Sequence, residues 1–435
     1  MADILLIYPQ PEETKDARFG FSLRLLYLSA ILKAAGHSVR LNDYSVEAFD
    51  MTALAEQLVR TDVAVIEFDS FPLKRAQNLG SAEALTAFVK QSHPQVKVIA
   101  FGYDCALFPR KVESADFTFT GEPEAAITTV VAALLAGSAV PDTLPSLLDN
   151  LDCLPFPDRE MLSPFVEHGG SLRRQPHLAK STLIQTSRGC RNRCRFCQRK
   201  GWDSAYREHS VDYSAREFAH LQERGYVNVW VADDNFGFHL PRAKALLTRL
   251  ADAGMTRGMK IALSSWVYID EEFLRLAKAA SVSLISFGIE TACPEIQAFY
   301  DKKIDLEKTA SLLHTADKLG IYTVGNFIIG APMETEGTMA QTFDYIRKVP
   351  LDQVNIKILD YMAGSDLYAS LSPDVTAGRR HLFASLEMGL NAFPLKDLKA
   401  RSNRFQQEIR ALNQSRLRQK IARFGLPYET AGTLT

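Results

Sequence analysis

Over residues 1–137 two hydrophobic periods alternate. Short continuous apolar runs at Asp3–Tyr8, Ser38–Asn42, Val63–Phe68, Val96–Phe101 and Phe117–Thr120 read as strands buried on both faces. Between them, Ser22–Ala35, Ala48–Arg60, Ala82–Gln91 and Glu124–Ala136 carry apolar residues at helical spacing. Strand and helix in alternation predict an open, Rossmann-like parallel sheet with helices on both faces. Ligands of such sheets lie beyond the carboxyl ends of the strands. Those ends carry Pro9-Gln10-Pro11, Asp69-Ser70-Phe71, Gly102-Tyr103-Asp104 and Gly121-Glu122-Pro123-Glu124.

Residues 138–181 lose this periodicity and hold Pro141, Pro145, Pro155, Pro157, Pro164 and Pro176, so they read as a linker. The alternation returns over 182–365. Strands are expected at Thr182–Ser187, Asn228–Asp233, Lys260–Ser265, Leu284–Ile289, Thr323–Ile329 and Val354–Asp360. Helices are expected at Ala215–Gly225, Pro241–Gly254, Glu271–Ala280, Leu306–Gly320 and Glu336–Lys348, with Gly225, Gly254 and Gly320 where C-caps belong. Six such units predict a partial (β/α)6 TIM barrel, whose reactive face lies at the strand ends. Residues 366–435 form a C-terminal helical segment, with helices at His381–Gly389 and Leu398–Phe424. Its cations, among them Lys399, Arg401, Arg416 and Lys420, read as a solvated helix face; a cover facing a substrate or anion is the alternative.

A chain of 435 residues has room for two or three domains. A formal net charge of −1 gives no reason to expect a polyanionic partner, and no aromatic-and-basic platform for nucleic acid is evident. The N-terminal apolar run is too short for a signal peptide, and no run of about 20 apolar residues could span a membrane. The expected location is cytoplasmic.

Three of the six cysteines, Cys190, Cys194 and Cys197, fall in one loop directly after the first strand of the second sheet. This is no disulfide framework. A structural zinc site would want a fourth ligand, and no nearby Cys or His supplies it. Three thiolates from one loop can instead hold three irons of a cubane and leave the fourth open. Arg188, Arg191, Arg193, Arg195 and Arg199 surround them and are expected to lower the thiol pKa values.

With its C-x3-C-x-aromatic-C loop, the chain resembles radical S-adenosylmethionine enzymes, in particular the subgroup with an N-terminal cobalamin-binding domain. The resemblance extends to Val231-Ala232-Asp233-Asp234-Asn235-Phe236, to Ser286-Phe287-Gly288-Ile289-Glu290-Thr291, and to Asn326-Phe327-Ile328-Ile329-Gly330-Ala331-Pro332. In the first domain it rests on Ser22–Ala30 and on Gly121-Glu122-Pro123-Glu124. It implies that Cys190, Cys194 and Cys197 hold a [4Fe-4S] cluster whose open iron chelates S-adenosylmethionine. Phe196, Asp233, Asp234, Asn235, Glu290 and Asn326 would then contact S-adenosylmethionine. Gly102, Tyr103, Gly121 and Glu122 would belong to a cobalamin site. The family's Asp-x-His-x-x-Gly motif does not occur, and Phe101-Gly102-Tyr103-Asp104 stands where Gly-Gly-x-His is frequent.

The activity so implied is methylation of an unactivated carbon of a small molecule through a 5′-deoxyadenosyl radical. Electrons would come from an external donor such as a flavodoxin or ferredoxin. Rearrangement, cyclisation or oxidation without methyl transfer is the alternative, and a non-catalytic cobalamin or redox sensor belongs to a different class. A tRNA methylthiolating enzyme would need a second three-cysteine site, and the first domain offers only Cys105, with Cys153 in the linker. Cys293, after the fourth strand, is a candidate hydrogen-atom donor or a packing residue before Pro294. Tyr103, Trp266 and Tyr361 stand at strand ends, as pocket lining or as packing.

Overall fold

The computed structural model describes residues 1–10, 22–45, 47–68, 78–107, 112–162, 180–198 and 205–424. Its chain divides into two compact units at Leu183/Ile184. In the first unit the elements run β1 (Asp3–Tyr8), α1 (Leu23–Ala34), β2 (Ser38–Asp43), α2 (Met51–Leu58), β3 (Val63–Glu67), α3 (Leu79–Ser92), β4 (Lys97–Phe101), α4 (Tyr103–Leu107), β5 (Phe117–Thr118) and α5 (Ile127–Ala136). The strands form one parallel sheet in the order β2-β1-β3-β4-β5. Two apolar cores lie on its two faces. Leu5, Ile7, Ala64 and Ile66 point to one, and Ile4, Leu6, Val63 and Val65 to the other. The strands are continuously apolar because both faces are covered.

Segment 138–162 does not simply cross between domains. Glu122 Oε2 accepts from the Leu148 N–H at 2.7 Å, and the Glu122 N–H donates to the Ser146 carbonyl at 2.8 Å. Asp158 takes Ser29 Oγ and Lys33 Nζ of α1, each at 2.7 Å. The proline-rich stretch is therefore strapped along the first sheet by side chains that periodicity cannot reveal.

The second unit continues with β6 (Ser181–Ile184), β7 (Ser187–Arg188), β8 (Arg207–Glu208), α6 (Val211–Glu223), β9 (Asn228–Val231), α7 (Leu240–Asp252), β10 (Lys260–Ser265), α8 (Glu271–Ala279), β11 (Val282–Glu290) and α9 (Pro294–Phe299). Then come α10 (Leu306–Lys318), β12 (Tyr322–Ile329), α11 (Glu336–Lys348), β13 (Gln353–Ile358), β14 (Asp360–Met362), β15 (His381–Phe383) and the long α12 (Leu395–Phe424). Six strands, β6, β9, β10, β11, β12 and β13, pair in sequence order, and the pairs from β9 to β13 are parallel. Ile285, Phe287, Phe327, Ile329 and Ile356 join residues of α6 to α8, α10 and α11 in one core. The crossover helices thus share one face, as six β/α units require. Ser210, Asp270, Asp305 and Thr335 cap helix starts with their side chains. Gly225, Gly254 and Gly320 close helices at φ of +73°, +62° and +69°, as their spacing predicts.

The C-terminal segment departs from expectation. His381–Phe383 is a strand paired antiparallel with Asp360–Met362, and a short 3-10 turn at Leu386–Met388 follows, in place of a helix over His381–Gly389. Cross-strand pairing here overrides local propensity. Helix α12 has both a solvated face and a buried one. Lys399, Arg404, Arg410, Arg418 and Arg423 are exposed, as expected of a solvated cationic face. Leu398, Phe405 and Ile409 enter the main core. Leu417, Ile421 and Phe424 pack on Leu284, Tyr322, Val324, Trp230 and Ala262, on the face away from the crossover helices. Three cations meet carboxylates: Lys420 Nζ reaches Asp352 Oδ2 at 2.6 Å, Arg416 reaches Asp317 at 2.8 Å, and Arg401 binds Glu336 at 2.6 Å.

Candidate active site

The cysteine loop rises from β7, whose partner is β8. Asp233, just after β9, fastens its root. Asp233 Oδ1 accepts from the Thr186 and Ser187 backbone N–H groups at 2.6 and 3.0 Å, and Oδ2 from their hydroxyls at 2.6 and 2.7 Å. Arg242 of α7, which sequence reasoning missed, completes the clamp. Its guanidinium donates to Thr186 Oγ1 at 2.9 Å, to the Thr186 carbonyl at 3.0 Å and to the His209 carbonyl at 2.8 Å. Burial raises the Asp233 carboxyl, while Arg242 and the four donors pull it back down. A buried carboxylate with four donors and a cation is a structural clamp, so the first thing Asp233 does is hold the loop.

The loop itself is bolted to the segment after α9. The Arg195 N–H donates to the Tyr300 carbonyl at 3.0 Å, and Phe196 meets the Tyr300 ring edge-on at 5.1 Å. The Arg195 guanidinium lies 5.0 Å from the Phe299 ring. Cys194 is buried, and Cys190 and Cys197 are half-buried. The expected lowering of the thiols by the loop arginines does not occur. Burial raises Cys190 and Cys194, and the cation that opposes it at both is Lys302. Arg191 and Arg193 are exposed, so water screens them; Arg199 lies outside the described residues.

These residues fit a cubane cluster better than a single ion. Among the described residues, no three His, Cys, Asp or Glu side chains converge as one ion would require. In a cluster each thiolate binds its own iron, so the three sulfurs stand apart. In the loop, the Asn192 side chain hydrogen-bonds the Cys190 sulfur. Beyond α9, Tyr300 Oη is buried with no hydrogen-bond partner, a donor left for an acceptor that arrives with a bound group.

The other expected contacts lie just after β9, at the end of β11 and within β12. Asp234 acts electrostatically on Cys190. Asn235 Oδ1 accepts from the Trp266 N–H at 3.0 Å and pins the end of β10. Glu290 ends β11 at φ +65°, where a β-bulge shifts the register against β12. Its Oε1 takes Lys302 Nζ at 2.6 Å, and Lys302 lies 4.2 Å from the Trp266 ring centroid. Asn326 donates to Ser286 Oγ at 2.8 Å and accepts from Asn355 at 3.2 Å, in a polar ladder across three strands. Lys302 carries no motif; its place is set by the α9 turn. Cys293 N-caps α9 by position and is buried with Ile296, Tyr300 and Leu359, the surroundings of a packing residue.

In the first unit the strand order reverses at β1 and β3, so a crevice opens beyond Tyr8 and Glu67. Gly102, at φ +130°, follows β4 in a conformation that favours glycine and leaves that strand end without a side chain. Tyr103 is buried at the start of α4. Gly121 approaches Ser146 so closely that an added Cβ would lie 2.3 Å from its carbonyl oxygen. Gly121 and Glu122 therefore anchor segment 146–148. Pro11 and Asp69–Phe71 lie outside the described residues. Among the described residues, no helix is long and apolar enough to cross a membrane.

Comparison with known proteins agrees with this geometry. Residues 184–346 match the model of the Radical SAM superfamily. An uncharacterized methyltransferase of Pyrococcus horikoshii is 24% identical over 389 residues, covering 84% of this chain and 82% of that protein. The radical S-adenosylmethionine methyltransferase TsrM from Kitasatospora setae superposes with a TM-score of 0.72 at 16% identity, covering 87% of this chain and 77% of its own. The cobalamin-dependent S-adenosylmethionine radical enzyme OxsB gives 0.62 at 16% identity, covering 80% of this chain and 52% of its own. Residues 184–346 thus carry a radical SAM domain.

Proposed function

We propose that the chain is a cobalamin-dependent radical S-adenosylmethionine methyltransferase that methylates an unactivated carbon of a small molecule. The observation that carries this reading is a succession within one chain. A parallel sheet of order 2-1-3-4-5 precedes a six-strand sheet whose first strand leads into a clamped three-cysteine loop. TsrM and OxsB share that fold, and OxsB is named as a cobalamin enzyme. When bound, the cluster and S-adenosylmethionine supply a 5′-deoxyadenosyl radical and cobalamin supplies the methyl group.

The chain's own residues hold and shield. Cys190, Cys194 and Cys197 are assigned to three irons of the cluster. Phe196, Asp234, Glu290 and Asn326 are assigned to S-adenosylmethionine, and Asp233 and Asn235 to positioning the loop and the end of β10. Gly102, Tyr103, Gly121 and Glu122 are assigned to the cobalamin side. The burial of Cys194, Tyr300 and Lys302 keeps water from that side of the loop, which would protect a reactive radical. Reductive cleavage of S-adenosylmethionine consumes one electron, and an external one-electron donor is assigned to supply it.

The test is a mass balance. Anaerobically reconstituted protein is given reductant, cobalamin and methyl-labelled S-adenosylmethionine. Formation of S-adenosylhomocysteine, with the label leaving the sulfonium, supports methyl transfer. Exclusive formation of 5′-deoxyadenosine and methionine points instead to rearrangement, cyclisation or oxidation.

A further inference from the structure

Lys302 is a buried cation, 2% exposed. It makes an ion pair with Glu290 at 2.6 Å and lies over the Trp266 ring at 4.2 Å. The pair is built into the fold. Gly288 lies beneath it, and an added Cβ there would stand 2.6 Å from Glu290 Oε1 and 2.8 Å from Lys302 Nζ. Glu290 holds a left-handed backbone that a glutamate rarely adopts. Strain of this kind persists only where the surroundings enforce it.

Lys302 is also fixed relative to the cysteine loop. It lies two residues beyond Tyr300, whose carbonyl binds the Arg195 N–H and whose ring meets Phe196. Its charge acts on both Cys190 and Cys194, and that of Glu290 acts on Cys194 with opposite sign. Buried charges are screened far less than the exposed Arg191 and Arg193. The potential of an iron–sulfur cluster depends on nearby charge and on solvent exposure.

We propose that the Glu290–Lys302 pair sets the reduction potential of the cluster held by Cys190, Cys194 and Cys197, with Lys302 favouring the reduced form and Glu290 moderating it. This rests on the cluster assignment above. The step concerned is transfer of one electron from an external donor, a reduced flavoprotein or iron–sulfur protein, to the cluster. The donor is oxidised by one electron, and the cluster site becomes one unit more negative. Lys302 is a tuning residue in this role and need not touch the cluster.

The experiment is a dithionite titration of the anaerobically reconstituted protein, followed by electron paramagnetic resonance, without S-adenosylmethionine. Lys302→Gln is expected to lower the reduction equilibrium constant about tenfold, which is about 59 mV for one electron. Glu290→Gln, which leaves Lys302 unopposed, is expected to raise it several-fold. Lys302→Arg is expected to stay within about twofold of the wild type. A merely structural role would move Lys302→Gln and Glu290→Gln in the same direction. That result, or both lying within twofold of the wild type, overturns the proposal. So does an unchanged potential with weakened S-adenosylmethionine binding in Lys302→Gln, which would make Lys302 a ligand of that molecule. Should Lys302→Gln fail to retain a cluster, Glu290→Gln decides alone: a rise supports the proposal and no rise overturns it. A wild-type protein that assembles no cluster refutes the cluster assignment instead.

Discussion

In the second unit Asp233 follows β9, Glu290 ends β11 and Asn326 lies within β12, and each is bonded to a polar partner: Thr186 and Ser187, Lys302, and Ser286 with Asn355. In the first unit the corresponding strand ends hold structure of another kind. Glu122 and Gly121 fasten segment 146–148, and Asp158 fastens the same linker to α1. Both units are parallel β/α sheets. One gathers its polar groups around a loop, and the other uses those described here to hold its own linker. Topology therefore places a site at strand ends, while the side-chain bonding decides what each strand end does.

The largest effect tests the loop. Replacing any one of Cys190, Cys194 or Cys197 with Ala is expected to abolish cluster retention and S-adenosylmethionine cleavage, read as iron and sulfide content and as 5′-deoxyadenosine. Retention of a full cluster by such a variant would remove that cysteine from the site. Next comes the clamp. Asp233→Ala leaves the buried Thr186 and Ser187 N–H groups without their acceptor and is expected to cost about 1–3 kcal/mol of stability for each, measured by denaturant unfolding. The loop should then lose the cluster even where the fold survives.

Asp352→Ala offers the contrast within the same unit. It strips Lys420 and Arg416 of a buried partner and should also cost about 3–5 kcal/mol. Cluster content per folded molecule should be unchanged. A loss of cluster equal to that of Asp233→Ala would erase the distinction between the Asp233 clamp and the ion pairs that hold α12. In the first unit, Glu122→Ala removes the carboxylate hydrogen bond to the Leu148 N–H and is expected to cost about 1–3 kcal/mol, with no effect on the cluster.

The smallest effect is a pH dependence. Burial, reinforced by the Asp43 charge, pushes the Glu47 carboxyl up to about 7. Its unfolded value is about 4.3, so between these values the folded state binds more protons. Stability from this group is present below the unfolded value and is lost as pH rises toward 7. Glu47→Gln should flatten the fall in stability across that window; an unaltered slope would show that Glu47 is not the group responsible.

Most of the fold was legible because strands buried on both faces read as continuous apolar runs and helices carry caps. Glu336–Lys348 coincides with α11, and the three C-cap glycines stand where expected. The three-cysteine loop was legible because covalent spacing within one loop survives in the sequence. What was not legible depends on distant pairing. Arg242 reaches Thr186 across 56 positions, and Lys420 reaches Asp352 across 68. The strand at His381–Phe383 forms only because Asp360–Met362 accepts it. The thiol pKa expectation failed for a related reason: proximity in sequence put arginines around the cysteines, while burial and the distant Lys302 set their electrostatics.

The central claim is that this chain, which carries a radical SAM domain, also uses cobalamin. The direct measurement is the corrinoid content of the protein after anaerobic reconstitution with iron, sulfide and hydroxocobalamin, followed by desalting. The account predicts about one corrinoid retained per chain, alongside a full cluster. A protein that holds the cluster and cleaves S-adenosylmethionine yet retains no corrinoid would contradict it.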